Sequence, residues 1–151
     1  MIGKLRSYLK LPGADRRAFH RLFILVPLTH RALKIFGVRK VSAFFDRYLP
    51  ARPAGTAPPD EVVRRYRRVL GMLDRNRPRA DRCLARSLVL RALLRRKGVE
   101  ASLHIGHRRG ENGIEGHAWL EYSGKTVFDS PATRESFKEF REILHKSDFG
   151  L

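Results

Sequence analysis

Three residues of this sequence have the types and surroundings needed to move an acyl group: Cys83, His117 and Asp129. Cys83 is the only cysteine of the chain and opens "CLARSLVLRALLRRKG", which reads as a helix. A helix N-terminus carries free backbone N–H groups and the positive end of the peptide dipole, and both stabilise an anion. The thiolate is the nucleophilic form of cysteine, so this position favours a reactive sulfur. The same N–H groups suit the oxyanion of an attacked carbonyl. Position alone leaves a second reading open, a small buried hydrophobe.

A cysteine nucleophile needs a base, and the base needs an orienting group. Of the six histidines, His117 opens the strand-like "HAWLEY", and Asp129 closes "KTVFDS", the strand that follows. The pairing depends on the turn between them. With Ser123-Gly124 as a two-residue loop, His117 faces residue 130 and Asp129 points to the other side of the sheet. With Tyr122-Ser123-Gly124 as a three-residue loop, Glu121 faces Lys125, Trp119 faces Val127, and His117 faces Asp129. Gly124 suits the left-handed position of that longer loop, and the opposite charges of Glu121 and Lys125 suit its register. The three-residue loop is therefore the expected one. Trp119 then shares the His117 face, where it walls a substrate site or fills a core. His104 and His107 flank a strand end. With no second cysteine and no carboxylate at ligand spacing, no metal is expected there.

The elements that must hold these residues follow from periodicity and breakers. Residues 14–35 read as one or two helices broken or kinked at Pro27 and ended by Gly37, and 41–49 as another. A proline-rich linker spans 50–60. Asp60 is a candidate N-cap for a helix over 61–76, where Val62, Tyr66, Val69 and Leu73 recur at helical spacing. Asp81 is a candidate cap for the cysteine helix, and Gly98 its C′ residue. Alternation over 99–106 reads as a strand, 108–113 as a polar loop, and 136–145 as a helix with Ser136 and Glu139 at capping-box spacing. The order is α+β: an N-terminal helical segment (1–49), the linker (50–60) and a domain over 61–151, in all one compact unit.

The 151 residues carry a formal charge of +17 from 32 basic and 15 acidic side chains. Residues 1–50 and 61–100 are each net +9, whereas 101–151 are net −1. The field of the first two thirds suits an acidic partner, a nucleic acid or an anionic membrane surface, and equally a solvated, arginine-rich surface. With one cysteine no internal disulfide can form, which fits a reducing, cytoplasmic setting. "RLFILVPL" is too short to span a bilayer, so no transmembrane segment is expected. Charge alone would also fit a nucleic-acid-binding module. No zinc-finger pattern or RNP-like aromatic strand accompanies it, so no nucleic acid is expected as partner.

"CLARSLVLRALLRRKGVEASLHIGHRR" followed by "EGHAWLEYSGKTVFDSP" resembles the transglutaminase-like cysteine peptidases of lasso-peptide biosynthesis, relatives of the C-terminal domain of microcin-processing maturation proteins. The resemblance is clearest over residues 80–131. It implies a papain-like fold with a cysteine helix on a small antiparallel sheet. It assigns Cys83 as nucleophile, His117 as general base and acid, and Asp129 as the group orienting His117. It also implies removal of the leader from a ribosomally made precursor, with a small leader-recognition protein acting in trans. A separate asparagine-synthetase-like cyclase would use ATP, and this chain no cofactor. Transglutamination or amide hydrolysis of another substrate on the same triad is the alternative.

Overall fold

The computed structural model of the chain describes residues 11–53, 55–76, 82–111 and 113–139. Three helices come first, α1 (Gly13–Tyr48), α2 (Pro59–Asn76) and α3 (Cys83–Arg95). The long hairpin β1 (Ser102–Gly110) and β2 (Gly113–Tyr122) follows, then β3 (Lys125–Thr126), α4 (Pro131–Glu135) and β4 (Lys138–Glu139). The strands form one antiparallel sheet in the order β3-β2-β1-β4. This is the expected α+β architecture.

Pro27 lies inside α1, which keeps helical dihedrals around it. The break comes at Gly37 (φ 76°, ψ 171°), which has no Cβ to oppose a positive φ. Leu22 and Thr29 are buried on either side of Pro27, so packed turns flank the hydrogen bond that proline removes. α2 begins at Pro59, a residue suited to the first helical turn. Asp60 therefore sits within that turn instead of capping it. The buried carboxylate of Asp15 ties α1 to α2, meeting Arg65 Nε at 3.2 Å and an Arg68 guanidinium nitrogen at 2.9 Å.

α3 is central. Leu88, Val89, Leu90, Leu93 and Leu94 are all buried, in a core shared with Leu22 of α1, Val69 of α2 and Leu120 of β2. The expected cap Asp81 lies outside the described residues. Gly98 (φ 73°) closes the other end as expected: its N–H reaches Arg95 O at 3.0 Å and the Val99 N–H reaches Leu94 O at 3.1 Å.

Three expectations fail in the sheet. The stretch 108–113 is mostly strand, because β1 and β2 stay paired out to Gly110 and Gly113. The β2–β3 connection is the two-residue loop, with Tyr122 opposite Lys125 and Glu121 opposite Thr126. Ser123 (φ 51°) and Gly124 (φ 73°) both take positive φ, the geometry of a type I′ turn whose twist matches the strands. The Glu121–Lys125, Trp119–Val127 and His117–Asp129 cross-strand pairs of the longer loop therefore do not exist. Finally, residues 136–139 are not helical. Ser130 caps the short α4 by accepting the Thr133 N–H at 3.1 Å, Ser136 ends it, and Glu139 pairs along β1 in β4. The remainder of the helix expected over 136–145 lies outside the described residues.

Candidate active site

Cys83 is the first residue of α3, and no side chain of the N-cap residue Arg82 closes the helix end. β3 is so short that it covers only the far end of β2. Its last contact is the Val127 N–H donating to Leu120 O at 2.9 Å. Ahead of Leu120 the outer edge of β2 meets the start of α3 instead. Ser87 Oγ donates to Ala118 O at 3.1 Å, and the Ala118 backbone also hydrogen-bonds Cys83. A truncated strand thus lets the helix N-terminus dock on a sheet edge, beside His117.

His117 Nε2 lies 3.1 Å from Asp129 Oδ1, and the thiol of Cys83 hydrogen-bonds the same imidazole. With Nε2 engaged by Asp129, Nδ1 is the ring nitrogen left for the sulfur. The structure therefore brings together the three residues picked out from the sequence. It does so by a route other than strand pairing. With the two-residue loop, a continued β3 would turn Asp129 away from His117. The chain instead leaves the sheet after Thr126 and bends over residues 127–129. Thr126 Oγ1 donates to Asp129 O across the bend. Val127 is buried in the core while Asp129 comes back over His117.

Arg86 was not singled out by sequence. It lies three residues after Cys83, on the same side of α3. One guanidinium nitrogen meets Asp129 Oδ1 at 3.2 Å and the other Asp74 Oδ2 of α2 at 3.0 Å, while the group lies 4.7 Å from the centre of the Phe128 ring. Its i+3 spacing from the cysteine was the available signal, but arginines are too frequent in this helix for spacing alone to separate it.

These contacts set the charges. The hydrogen bond to Asp129, then that to Cys83, push His117 up to about 9 against the opposing effect of burial. Burial raises the Cys83 thiol, but hydrogen bonds from His117 and the Ala118 backbone, with the nearby imidazolium, bring it below its ordinary value. Burial likewise raises Asp129, and His117 with Arg86 outweighs it, holding the carboxyl below the usual range. Both shifts run towards a thiolate beside an imidazolium, an arrangement able to attack a carbonyl and protonate its leaving group.

Trp119 is 2% exposed and stacks between His104 (centroids 5.7 Å apart) and His117 (6.1 Å), with its Nε1–H donating to Glu121 Oε1 at 3.1 Å. It buttresses His117 from within the sheet face and offers no open wall to a substrate. Phe137 covers His117 from the other side at 5.0 Å, with Arg108 stacked on it at 4.6 Å. Gly106, paired with His117, makes room for this layer: a Cβ there would lie 3.0 Å from the Trp119 ring and 2.9 Å from Lys138 O. His104 and His107 fall on opposite faces of β1. Among the described residues no group of three or more His, Cys, Asp or Glu side chains is placed to hold a metal ion.

A helix-borne cysteine facing a histidine on an antiparallel sheet, with an aspartate brought onto that histidine from the bend after β3, is an acyl-transfer arrangement. A family model described as "Transglutaminase-like superfamily" matches residues 26–142. The chain belongs to that superfamily, which includes cysteine peptidases and acyltransferases. No curated protein and no solved structure matched it.

Proposed function

We propose that this protein is a cysteine peptidase that removes the leader from a ribosomally made lasso-peptide precursor. The observation that carries the peptidase reading is the Cys83–His117–Asp129 contact chain, which lowers the thiol and raises the imidazole. The choice of substrate rests on the resemblance of residues 80–131. The Cys83 thiolate adds to the carbonyl of the last leader residue, and backbone N–H groups at the start of α3 receive the oxyanion. As the C–N bond breaks, His117 gives its proton to the departing core amine, leaving a thioester. His117 then takes a proton from water, which attacks the thioester and releases the leader as a free acid. Asp129 holds the ring and balances its charge, and Arg86 holds Asp129.

The precursor is presented by a small leader-recognition protein in trans. The freed amine passes to an asparagine-synthetase-like cyclase that uses ATP, while this chain needs no cofactor and acts in the cytoplasm. The partner docks on the basic N-terminal helices. α1 exposes Ile24, Leu28, Ile35 and Phe36 among its arginines and lysines, and among the described residues no helix is long and apolar enough to cross a membrane. Intact-mass analysis of precursor, partner and protein tests the reading. Free leader acid should form, slowly without the partner and less readily as salt rises, and Cys83→Ala should abolish it. An amine-adducted leader would instead identify a transferase. Full activity of Cys83→Ala would end the mechanism.

A further inference from the structure

Arg82 and Arg86, on either side of Cys83 along the chain, line a cleft with about 700 Å³ of empty space, counting the solvent at its mouth. Phe19, Phe23 and Val26 of α1 and Leu70 and Leu73 of α2 form its apolar walls. Its polar end is Asp74, Arg82 and Arg86. Two of those three are committed to the contacts above, since Arg86 bridges Asp74 and Asp129. Arg82 differs: its Nε is buried and has no hydrogen-bond partner among the described residues. A buried N–H left unmatched is costly unless something supplies an acceptor.

The position relative to the chemistry fixes which part of a substrate can reach the cleft. Every wall comes from α1, α2 or the start of α3, and none from the strands that carry His117. The leaving amine must lie against His117, which protonates it. An acyl half directed away from His117 would run along Arg82 towards the cleft. An apolar recess whose polar end holds the Arg82 Nε–H matches an apolar side chain next to a main-chain carbonyl.

We propose that this cleft is a specificity pocket for a bulky apolar side chain close to the attacked carbonyl on its acyl side, with Arg82 Nε–H donating to a main-chain carbonyl of the same peptide. This rests on the preceding reading only in that Cys83 attacks a peptide carbonyl. Labelling of Cys83 in the full chain tests it without the natural precursor. The probes are acetyl-dipeptidyl chloromethyl ketones carrying leucine, or alanine in its place, at either position, with each protein's rates normalised to iodoacetamide. At one of the two positions the leucyl probe should react about tenfold faster or more than its alanyl counterpart, the range for a filled apolar subsite. Leu73→Trp, which fills the cleft, should erase that preference. Phe23→Ala, at a half-exposed wall, should move it towards a phenylalanyl probe, so the test survives if the tryptophan variant does not fold. Arg82→Met should slow both peptidyl probes while keeping their ratio. Equal leucyl and alanyl rates in the wild type, or a preference unchanged in folded Leu73→Trp and Phe23→Ala, would overturn the pocket. Leader release without any probe preference would refute the pocket alone. Probe preference without leader release would refute the substrate reading and leave the pocket standing.

Discussion

Asp129→Asn separates charge from position at the centre of the site. The ring of His117 is raised from 6.5 to about 9, which at about 1.36 kcal/mol per pH unit is about 3.4 kcal/mol in favour of the imidazolium. The hydrogen bond to Asp129 is the largest contribution to that rise, ahead of Cys83. Asparagine keeps the shape and can still accept from Nε2, but it has no charge to balance the ring. Losing half or more of the preference, on the order of 2 kcal/mol, would lower the equilibrium constant for the thiolate–imidazolium pair over its neutral form tenfold or more. Iodoacetamide alkylation of Cys83, followed by intact mass across pH, reads this directly. In the wild type the reaction should persist well below the pH of an ordinary thiol. In Asp129→Asn the alkylation rate near neutral pH should fall, with the circular dichroism spectrum unchanged. Stability carries the matching sign. A raised histidine contributes stability that is complete below 6.5 and lost as pH rises through about 9, so the wild type should weaken over that window and the variant less so. An unchanged alkylation profile in a folded variant would refute Asp129 as the group that charges the site.

Arg86→Met removes the cation between Asp74 and Asp129; breaking this mostly buried bridge should cost on the order of 3 kcal/mol in urea unfolding. It should also move the acid loss of activity to higher pH, because Asp129 is held low partly by that guanidinium and its stabilising charge disappears as pH falls through its own value. Gly106→Ala forces a Cβ against Lys138 O and the Trp119 ring, so a loss of roughly 1–3 kcal/mol is expected from overpacking, measured by thermal melting. In the type I′ turn, Ser123→Asn should stabilise by a few tenths of a kcal/mol, whereas Gly124→Val should cost roughly 1–2 kcal/mol, both read from urea midpoints.

The chemistry of this protein was legible in its sequence because residue type restricts it. One cysteine at a helix start, a histidine opening a strand and an aspartate closing the next left few partners to choose among. The helices were legible for a related reason: apolar spacing on α2 and Gly98 after α3 express local rules that each segment obeys alone. The path joining His117 to Asp129 was not determined that way. Both loop lengths satisfied local turn chemistry, and the choice fell to the shorter one, with the contact recovered by a bend after Thr126. That bend exists because Val127 is drawn into the core while the start of α3 occupies the edge β3 would have extended along. Likewise, Ser136 and Glu139 carried a helical capping pattern, but Lys138 and Glu139 pair with β1, where an open edge of the hairpin offers hydrogen bonds that a four-residue sequence rule does not register. Arg86 and the cleft beside Arg82 belong wholly to the tertiary structure. They arise where α1, α2 and the start of α3 come together, and no single segment carries the information for that meeting.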